Sequence, residues 1–502
     1  MLTPRRWSVT RESPAAATRS QASQPRHTAP AWVAALVFLG AASALAGAYW
    51  DDAWHTERGR DSFFIAPHIA IYAGITGAGF ALSAWAVLVA RRGGMDAVRG
   101  HLPLILAVLS VLVTLASAPI DNVWHVAFGR DAVIWSPPHM LGIAGTLAPA
   151  ASMLVELARR PSRRAQLAAI TAGGLVVASA TFAVAEYETD VPQFDELWYL
   201  PVLAFTAAIA LLLVRVASRR RWAATEAAAA YTLFMVAVSA FLSLVGFSPP
   251  ALPLLVVPAL AIDLASRGRW SVPVSASAYA LSLFAVYVPV RNWLGDGVEM
   301  DAAQLALGLP LAWITSALVF AMARGRKPAV PRSAKATAAV LLLLVLPSAA
   351  LAHDPGQGDG AGELALTASV DGAQAELRAV LPQSSCRATQ PRALVARRAG
   401  QTRRAPLRKR GCELAGSLRL PDRGRWFLYV EMSRDGENIE AWLPIDAHRG
   451  RKLVSNDSRY AYIPPEPSQS GLKLAGGVAL YAGMLALLYS AFALTRAARA
   501  TA

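Results

Sequence analysis

The feature that most constrains this chain is its set of long apolar runs. Runs of about 18 or more apolar residues are long enough to cross the hydrocarbon core of a bilayer as helices. The sequence contains about 12 such runs, near residues 30–49, 64–90, 102–120, 136–158, 167–185, 200–217, 226–247, 249–264, 271–291, 302–323, 336–352 and 471–494. Only 16% of the residues are charged, against roughly a quarter in soluble proteins. The predicted fold class is therefore a polytopic α-helical membrane protein.

The chain has a net charge of +15, and the loops between the apolar runs are alternately basic and acidic. Arginines gather in alternate short loops, at 91–92, 159–164, 218–222, 266–269 and 324–327. The loops between them are acidic, as at 186–196 and 295–301. The loop at 186–196 either attracts cations or is an ordinary solvated loop. The pattern follows the positive-inside rule. It predicts a bacterial-type cytoplasmic membrane protein with a cytoplasmic N-terminus, a lipid bilayer as its surroundings and no nucleic-acid partner.

Three segments beside the best-defined spans are interpreted separately. Residues 1–29, rich in Arg, Ser, Pro and Ala, are predicted to form a disordered cytoplasmic N-terminus. Residues 161–335 are assigned to further transmembrane helices. Residues 336–352 form either a transmembrane helix or a signal-like segment, because their last three residues, Ala-Leu-Ala, match a signal-peptidase site just before His353.

The composition changes in residues 353–465, where the apolar runs become short and alternating. Segments such as "ELALTASV" and "RWFLYVEM" are typical of strands, and the turns "VDGA" and "RDGE" separate such segments. The pattern predicts a small extracytoplasmic β-sandwich, followed by a C-terminal transmembrane helix at 471–494. Cys386 and Cys412, the only cysteines of the chain, fall in the compartment where disulfides persist, so we expect them to be bridged. In strand pattern alone, the domain is similar to Ig-like or cupredoxin-like modules.

A motif between the first spans occurs twice, as "DDAWHTERGRDSFFIAPH" at 51–68 and as "DNVWHVAFGRDAVIWSPPH" at 121–139. The matched residues are Asp51 with Asp121, Trp54 with Trp124, His55 with His125, Gly59-Arg60-Asp61 with Gly129-Arg130-Asp131, and Pro67-His68 with Pro138-His139. The flanking spans correspond as well. Residues 30–160 are therefore predicted to form two repeated helical hairpins, each with the motif at its outer connection.

The spacing within each motif predicts a metal site. Asp51 and His55 lie four residues apart and share one face of a helix end, whereas His68 follows a proline at the start of the next helix. One carboxylate and two imidazoles then converge, a donor set that suits copper, zinc or ferrous iron. The second set is Asp121, His125 and His139. Neighbouring polar side chains, Arg60, Asp61, Asn122, Arg130 and Asp131, are candidates for orienting the ligands.

Structural explanations of the same motif stay open. Histidine and tryptophan at a membrane interface are often belt residues at headgroup level. The arginine and aspartate pairs at 60–61 and 130–131 also fit loop ion pairs or helix caps. Four of the eight histidines nevertheless lie in the two motifs, and ionisable groups at membrane level are costly. Repetition of such groups favours metal binding.

The pattern D-x3-H-x12-H, followed by D-x3-H-x13-H, resembles the C subunit of the particulate methane and ammonia monooxygenases over about residues 30–160. The resemblance implies a copper site at Asp51, His55 and His68 and a neighbouring one at Asp121, His125 and His139. The family usually opens the second set with Asn, whereas this chain has Asp121 with Asn122 beside it.

The family enzyme has three subunits, so the resemblance implies either other monooxygenase-like subunits or a homo-oligomer as partners. The β-domain looks loosely like the copper-binding B subunit of that family. In this chain, His353 and His448 would be the histidines available for such a site.

Three functions remain in competition at this point. The first is a component of a copper-dependent monooxygenase that oxidises a small or apolar substrate with O2. The second is copper acquisition, transport or metallation of another enzyme, which calls for further ligands inside the membrane. Spans six to ten contain no histidine or cysteine, which counts against a long metal path. The third is a scaffold in which the Asp and His clusters are structural hydrogen-bond networks.

Overall fold

The computed structural model describes residues 28–59, 64–128, 134–192, 194–251, 254–290, 300–324, 358–399, 401–447, 452–464 and 470–500. Several predictions of the sequence lie outside these residues: the N-terminal segment up to residue 27, Arg60, Asp61, Arg130, Asp131, the segment 336–352, His353 and His448. The backbone of His125 is described, but its side chain is not.

Apolar helices make up the first part of the described chain. They are α1 Ala31–Glu57, α2 Ala66–Arg99, α3 Leu102–Phe128, α4 Pro137–Ala158, α5 Arg163–Thr181, α6 Ala185–Glu188, α7 Tyr199–Ala217, α8 Ala223–Leu244, α9 Val256–Arg267, α10 Val272–Ser282 and α11 Ala302–Ala323. Within the described residues, nine helical segments are long and apolar enough to cross a membrane. This agrees with the predicted multi-pass helical architecture.

The predicted number of spans differs from the nine described. The run near 249–264 forms only the 12-residue helix α9, which begins at Val256. Pro249 and Pro250 disfavour an earlier start, because proline lacks the backbone N–H that a helix interior requires. At about 1.5 Å per residue, α9 is about 18 Å long, too short to cross a bilayer alone. The predicted run 336–352 lies outside the described residues.

Two pairs of helices pack closely, α1 with α2 and α3 with α4, where the sequence repeat predicted hairpins. Glycine permits the approach of α1 to α2, since a Cβ atom on Gly40 would lie 2.4 Å from the carbonyl oxygen of Gly74. In the second hairpin, a Cβ atom on Gly145 would lie 1.8 Å from Thr114 Oγ1. Small residues at such positions let helix backbones approach in a membrane, where no hydrophobic force drives helices together.

The C-terminal part contains one antiparallel sheet and a last helix. Its elements are β1 Asp359–Asp371, β2 Gln374–Val380, α12 Gln383–Cys386, β3 Thr389–Arg398, β4 Gln401–Ala405, β5 Arg408–Arg410, β6 Glu413–Arg419, β7 Gly424–Arg434, β8 Glu437–Ala447, β9 Lys452–Ile463 and α13 Ser470–Ala500. The strand order is β4-β3-β7-β8-β9-β1-β2-β6-β5. The predicted C-terminal helix 471–494 lies within α13, of which Gly471–Ala486 is apolar.

The predicted β-sandwich is instead a half-barrel built from a single sheet. Pairing is continuous across all nine described strands, so two separate facing sheets do not form among them. The sheet curls until β4 lies against β6, enclosing a core that includes Leu366, Leu377 and Trp426. Bulges between Gly360 and Gly362 in β1 and between Pro391 and Ala393 in β3 support this curvature.

The predicted disulfide is confirmed. Cys386 at the end of α12 is bonded to Cys412, which precedes β6. Leu381 N–H donates to the carbonyl of Cys412 at 2.8 Å, and the Lys409 ammonium donates to the carbonyls of Cys386 and Thr389. The bridge therefore fixes the connection between β2 and β3 to the edge of the sheet at β5 and β6.

The half-barrel docks on the loop between α6 and α7 through buried charges. Arg398 is 5% exposed and donates to Asp190 at 2.6 Å and to Glu196 at 3.2 Å. Arg425 N–H donates to the other oxygen of Asp190 at 2.8 Å. Although burial opposes its charge, the carboxylates of Asp446 and Asp190 raise the pKa of Arg425 above its ordinary value, so this side chain stays protonated.

An apolar cluster completes this interface. Val191, from the loop after α6, packs with Val395, Phe427, Tyr429 and Trp442 on the outer surface of the sheet. The Phe427 and Trp442 rings meet edge to face at 5.3 Å. The two parts of the chain therefore form one packed unit at the end of the hairpins that carries the motifs.

We predict that removal of the bridge destabilises the β-domain. A disulfide that closes a loop of 26 residues contributes about 3 kcal/mol by restricting the unfolded chain. Reductant should therefore lower the thermal stability of the wild-type protein in nanodiscs. It should have no effect on the Cys386→Ala/Cys412→Ala variant, and equal sensitivity of both proteins would contradict the prediction.

We also predict that Arg398→Ala weakens the interface strongly, because it leaves Asp190 and Glu196 without their shared buried partner. Removing one member of a buried ion pair costs about 3–5 kcal/mol. The matched control is Arg403→Ala, on the adjacent strand β4, where the side chain is exposed. Urea titration of both variants in nanodiscs measures the difference, and similar midpoints would argue against a stabilising role of Arg398.

Candidate metal centre

Two helix ends supply the first set of candidate ligands. Asp51 and His55 lie in the last two turns of α1, which ends at Glu57, so their spacing of four residues puts them on one face. Ile65 precedes α2 with extended backbone, and Pro67 occupies the first turn of that helix. His68 follows this proline and points across the hairpin toward Asp51.

The structure brings the three side chains of the first set together. Asp51 Oδ1 lies 3.5 Å from His55 Nε2 and 3.1 Å from His68 Nε2. One ligand atom from each residue falls within 4.8 Å of the other two. His55 is 7% exposed, and both imidazoles lie within ion-pair distance of the Asp51 carboxylate.

This arrangement fits a metal ion. Nitrogen and oxygen ligands bind zinc and related ions at about 2.0–2.2 Å, so two atoms bound to one ion lie at most about 4.4 Å apart. A closure of less than about 1 Å would satisfy that limit for the first set. A carboxylate oxygen beside two imidazole nitrogens at a mostly buried position is the donor chemistry expected of a 2-His-1-carboxylate site.

The second set repeats one contact of the first, between a carboxylate and the histidine across the hairpin of α3 and α4. His139 Nε2 lies 3.2 Å from Asp121 Oδ1. Ser136 precedes α4 with extended backbone, and prolines occupy the first turn before His139, as Pro67 does before His68. His125 lies four residues after Asp121 on α3, and its side chain is outside the described atoms. Asn122 is exposed on the same helix.

The two sets share one cavity of about 140 Å³, which the sequence did not predict. Residues from both motifs line it together, namely Asp51, His55, His68, Asp121 and His139. The rest of the lining is mostly apolar or hydroxyl-bearing and includes Leu45, Ile71, Ile75, Thr114, Ser117, Ile143, Thr146 and Phe182. The polar atoms of two hairpins therefore face a single small space.

Among the cavity residues that were not singled out from the sequence, one carboxylate and two aromatic rings lie close to the candidate ligands or line the same space. Asp52 is 6% exposed, lines the cavity beside Asp51 and contacts the Thr189 side chain. Tyr72 lies one turn after His68, and the two ring centroids are 5.8 Å apart. The doubled aspartate of "WDDAWH" and the spacing of four between His68 and Tyr72 were available as signals. Phe182 comes from outside the motifs, and no local pattern indicates it.

The tryptophans of the motifs are not belt residues facing lipid. Trp124 is 4% exposed, and a Cβ atom on Gly476 of α13 would lie 3.3 Å from its ring. Trp54 stacks on Phe247 with 5.7 Å between the ring centroids, and the Arg58 guanidinium lies over the Trp54 ring. The belt interpretation is therefore wrong, because protein covers both rings.

Most carboxylates of the acidic loop at 186–196 are withdrawn from solvent, although Asp195 is exposed. Glu186, Glu188 and Asp190 are all buried. Glu186 accepts a hydrogen bond from Ile134 N–H at 2.7 Å, and Glu188 accepts one from the Tyr199 hydroxyl. Asp190 pairs with the β-domain, as described above. These carboxylates hold distant elements together, because donors from other segments of the chain satisfy them.

Comparisons with protein-family models, with curated proteins and with solved structures found no match.

We predict that close packing of α1 on α2 sets the metal affinity of the first set. A Cβ atom on Gly47, one turn before Asp51, would lie 2.8 Å from Ile71 Cγ1 and 3.1 Å from the Pro67 carbonyl oxygen. Gly47→Ala should push His68 away from Asp51 and weaken metal binding by about tenfold, as loss of outer-shell support does.

The control for this prediction is Gly77→Ala, because a Cβ atom at Gly77 on α2 would meet nothing within 4 Å. Chelator competition titrations of both variants in nanodiscs measure the affinities. Wild-type affinity in Gly47→Ala would show that helix spacing at this point does not determine the site.

Proposed function

We propose that this chain is a copper-binding integral membrane protein that takes part in the O2-dependent oxidation of a small or apolar substrate. The observation that carries the proposal is the convergence of Asp51, His55 and His68 within 4.8 Å, at a cavity that Asp121 and His139 also line. The motif spacing adds support, since it resembles that of the C subunit of the particulate methane and ammonia monooxygenases.

The donor set supports copper as the resident metal. Asp51, His55 and His68 would hold one ion, and Asp121, His125 and His139 a second. Copper bound there would supply the one-electron redox chemistry that activation of O2 requires. Zinc or ferrous iron suits the same donors, so the experiment below quantifies all three metals.

The cavity supports a small substrate of low polarity. Its volume of about 140 Å³ accommodates only a few non-hydrogen atoms, and its inner wall includes Leu45, Ile75 and Phe182. These apolar side chains lower the polarity of the surroundings of the carboxylates and imidazoles, which strengthens electrostatic interactions within the site relative to water. Such a substrate also dissolves in the bilayer around the hairpins.

Oxidation is favoured over copper transport because the sequence offers no series of histidine or cysteine ligands along the later spans. Between His139 and residue 353 there is no histidine, and the two cysteines both lie in the β-domain. A transported ion needs successive ligands across the membrane. We propose further that the motifs face the outer side of a bacterial-type cytoplasmic membrane, as the arginine-rich loops indicate, and that related subunits or a second copy of the chain are the partners.

The test is metal content per chain and electron paramagnetic resonance on protein in lipid nanodiscs after copper loading. The wild type is compared with His55→Ala/His68→Ala and with His125→Ala/His139→Ala. Each double variant should lose about half of the bound copper and one component of the spectrum. A matched control is His101→Ala, because His101 lies near Glu156 and packs on Trp85, apart from the cavity residues.

Two results would decide the proposal. The proposal is supported if each double variant retains the metal of its intact set and if the reduced wild type consumes O2 when small hydrocarbons or amines are added as substrates. Equal, near-zero metal in all four folded proteins would reject metal binding and leave the motifs as structural hydrogen-bond networks.

A further inference from the structure

Two tyrosines from the C-terminal part of the chain each donate a hydrogen bond to the connection of one motif. The Tyr462 hydroxyl, on β9, donates to the carbonyl of Gly59, and the Tyr481 hydroxyl, on α13, donates to the carbonyl of Trp135. Gly59 lies four residues after His55, and Trp135 lies four residues before His139. Each motif is therefore contacted by a different C-terminal element.

The β-domain holds the connection of the first motif from the outside. Gly59 has a φ of 71°, and a Cβ atom there would lie 3.0 Å from the Trp442 ring, so glycine permits this approach. Tyr462 is buried, and the Arg459 guanidinium lies over the Trp442 ring, 4.9 Å from the ring centroid. From the helix side, Glu57 Oε1 accepts a hydrogen bond from Ser248 N–H at 2.8 Å.

The last helix holds the connection of the second motif. Gly477 brings α13 against Pro137, to which a Cβ atom would lie at 3.3 Å. Tyr481 is buried at this contact. On the opposite side, Trp135 Nε1 donates to the Ala183 carbonyl at 2.9 Å. The segment that begins α4 is thus fixed between α13 and the end of α5.

Gly59 and Trp135 lie in connections outside the helices, so helix hydrogen bonds do not satisfy their carbonyls, and a buried backbone carbonyl needs a partner. Metal ligands, by contrast, need placement within about 0.5 Å, which comes from the residues that support them. A donor on the connection beside His55 or His139 limits the movement of that ligand.

We infer that the β-domain and α13 are positioning elements for different metal sets, with Tyr462 acting on the first and Tyr481 on the second. The inference rests on the proposed metal function. It assigns a role to the two parts of the chain that the resemblance to the C subunit leaves unexplained. A purely structural role for the two hydroxyls predicts no difference between the sets.

The test uses Tyr462→Phe and Tyr481→Phe, which keep the ring and remove only the donor. Each is placed in the His125→Ala/His139→Ala background, where only the first set binds, and in the His55→Ala/His68→Ala background, where only the second does. Tyr462→Phe should weaken copper binding at the first set by about tenfold and alter its resonance spectrum, with the second set unchanged, and Tyr481→Phe should do the reverse.

The control is Tyr489→Phe, because Tyr489 is also on α13 but is 69% exposed. It should leave affinity and spectrum unchanged at both sets. If both Phe variants weaken both sets equally, or leave both unchanged, the inference is overturned. Size-exclusion profiles and thermal unfolding of every variant confirm that the fold is retained.

A second measurement needs no metal. Backbone amide hydrogen exchange is followed at residues 57–59 and 134–136 in the metal-free proteins. Tyr462→Phe should accelerate exchange about fivefold at 57–59 only, and Tyr481→Phe at 134–136 only, as expected for loss of one hydrogen bond. Absence of metal from the wild type would reject the proposed function, whereas unchanged exchange in both variants would reject the positioning role.

Discussion

The close approach of α1 to α2 is the constraint on which the rest of this structure depends. Asp51 and His55 belong to one helix and His68 to the other, so they converge only if the backbones nearly touch. Gly40 and Gly74 allow that contact, because a side chain at either position would overlap the carbonyl oxygen of the other. Packing of small residues, rather than any ligand, therefore brings the carboxylate and the imidazoles together.

The β-domain packs against the same helical part of the chain, and matched charges at the interface make its orientation specific. Arg398 and Arg425 are matched to Asp190 at an interface that also contains an apolar cluster. Buried ion pairs add little net stability over apolar contacts, but a mismatch is costly. One orientation of the domain is thereby favoured, and it puts Tyr462 and Trp442 over the end of α1.

Patterns of residues close together in the sequence predicted those parts of the molecule that short-range hydrophobicity and residue spacing determine. Apolar length indicated most spans, the repeat indicated the hairpins, and Cys386 and Cys412 were paired by elimination. Contacts between distant segments were beyond such patterns. The shared cavity depends on how the two hairpins face each other, and the half-barrel depends on the curl of a continuous sheet. The burial of Glu186 and Glu188 depends on donors from other segments.

The charge of the cavity limits what it can hold. Asp51, Asp52 and Asp121 line it, whereas no arginine or lysine does among the described residues. Buried carboxylates need compensation, because an isolated charge in a medium of low dielectric constant is strongly disfavoured. Protons on the carboxylates, protons on the neighbouring histidines or a bound cation can supply it. A cation bound between the two motifs would supply this compensation to the carboxylates of both hairpins at once, which is why aspartate in both motifs supports the proposed metal site.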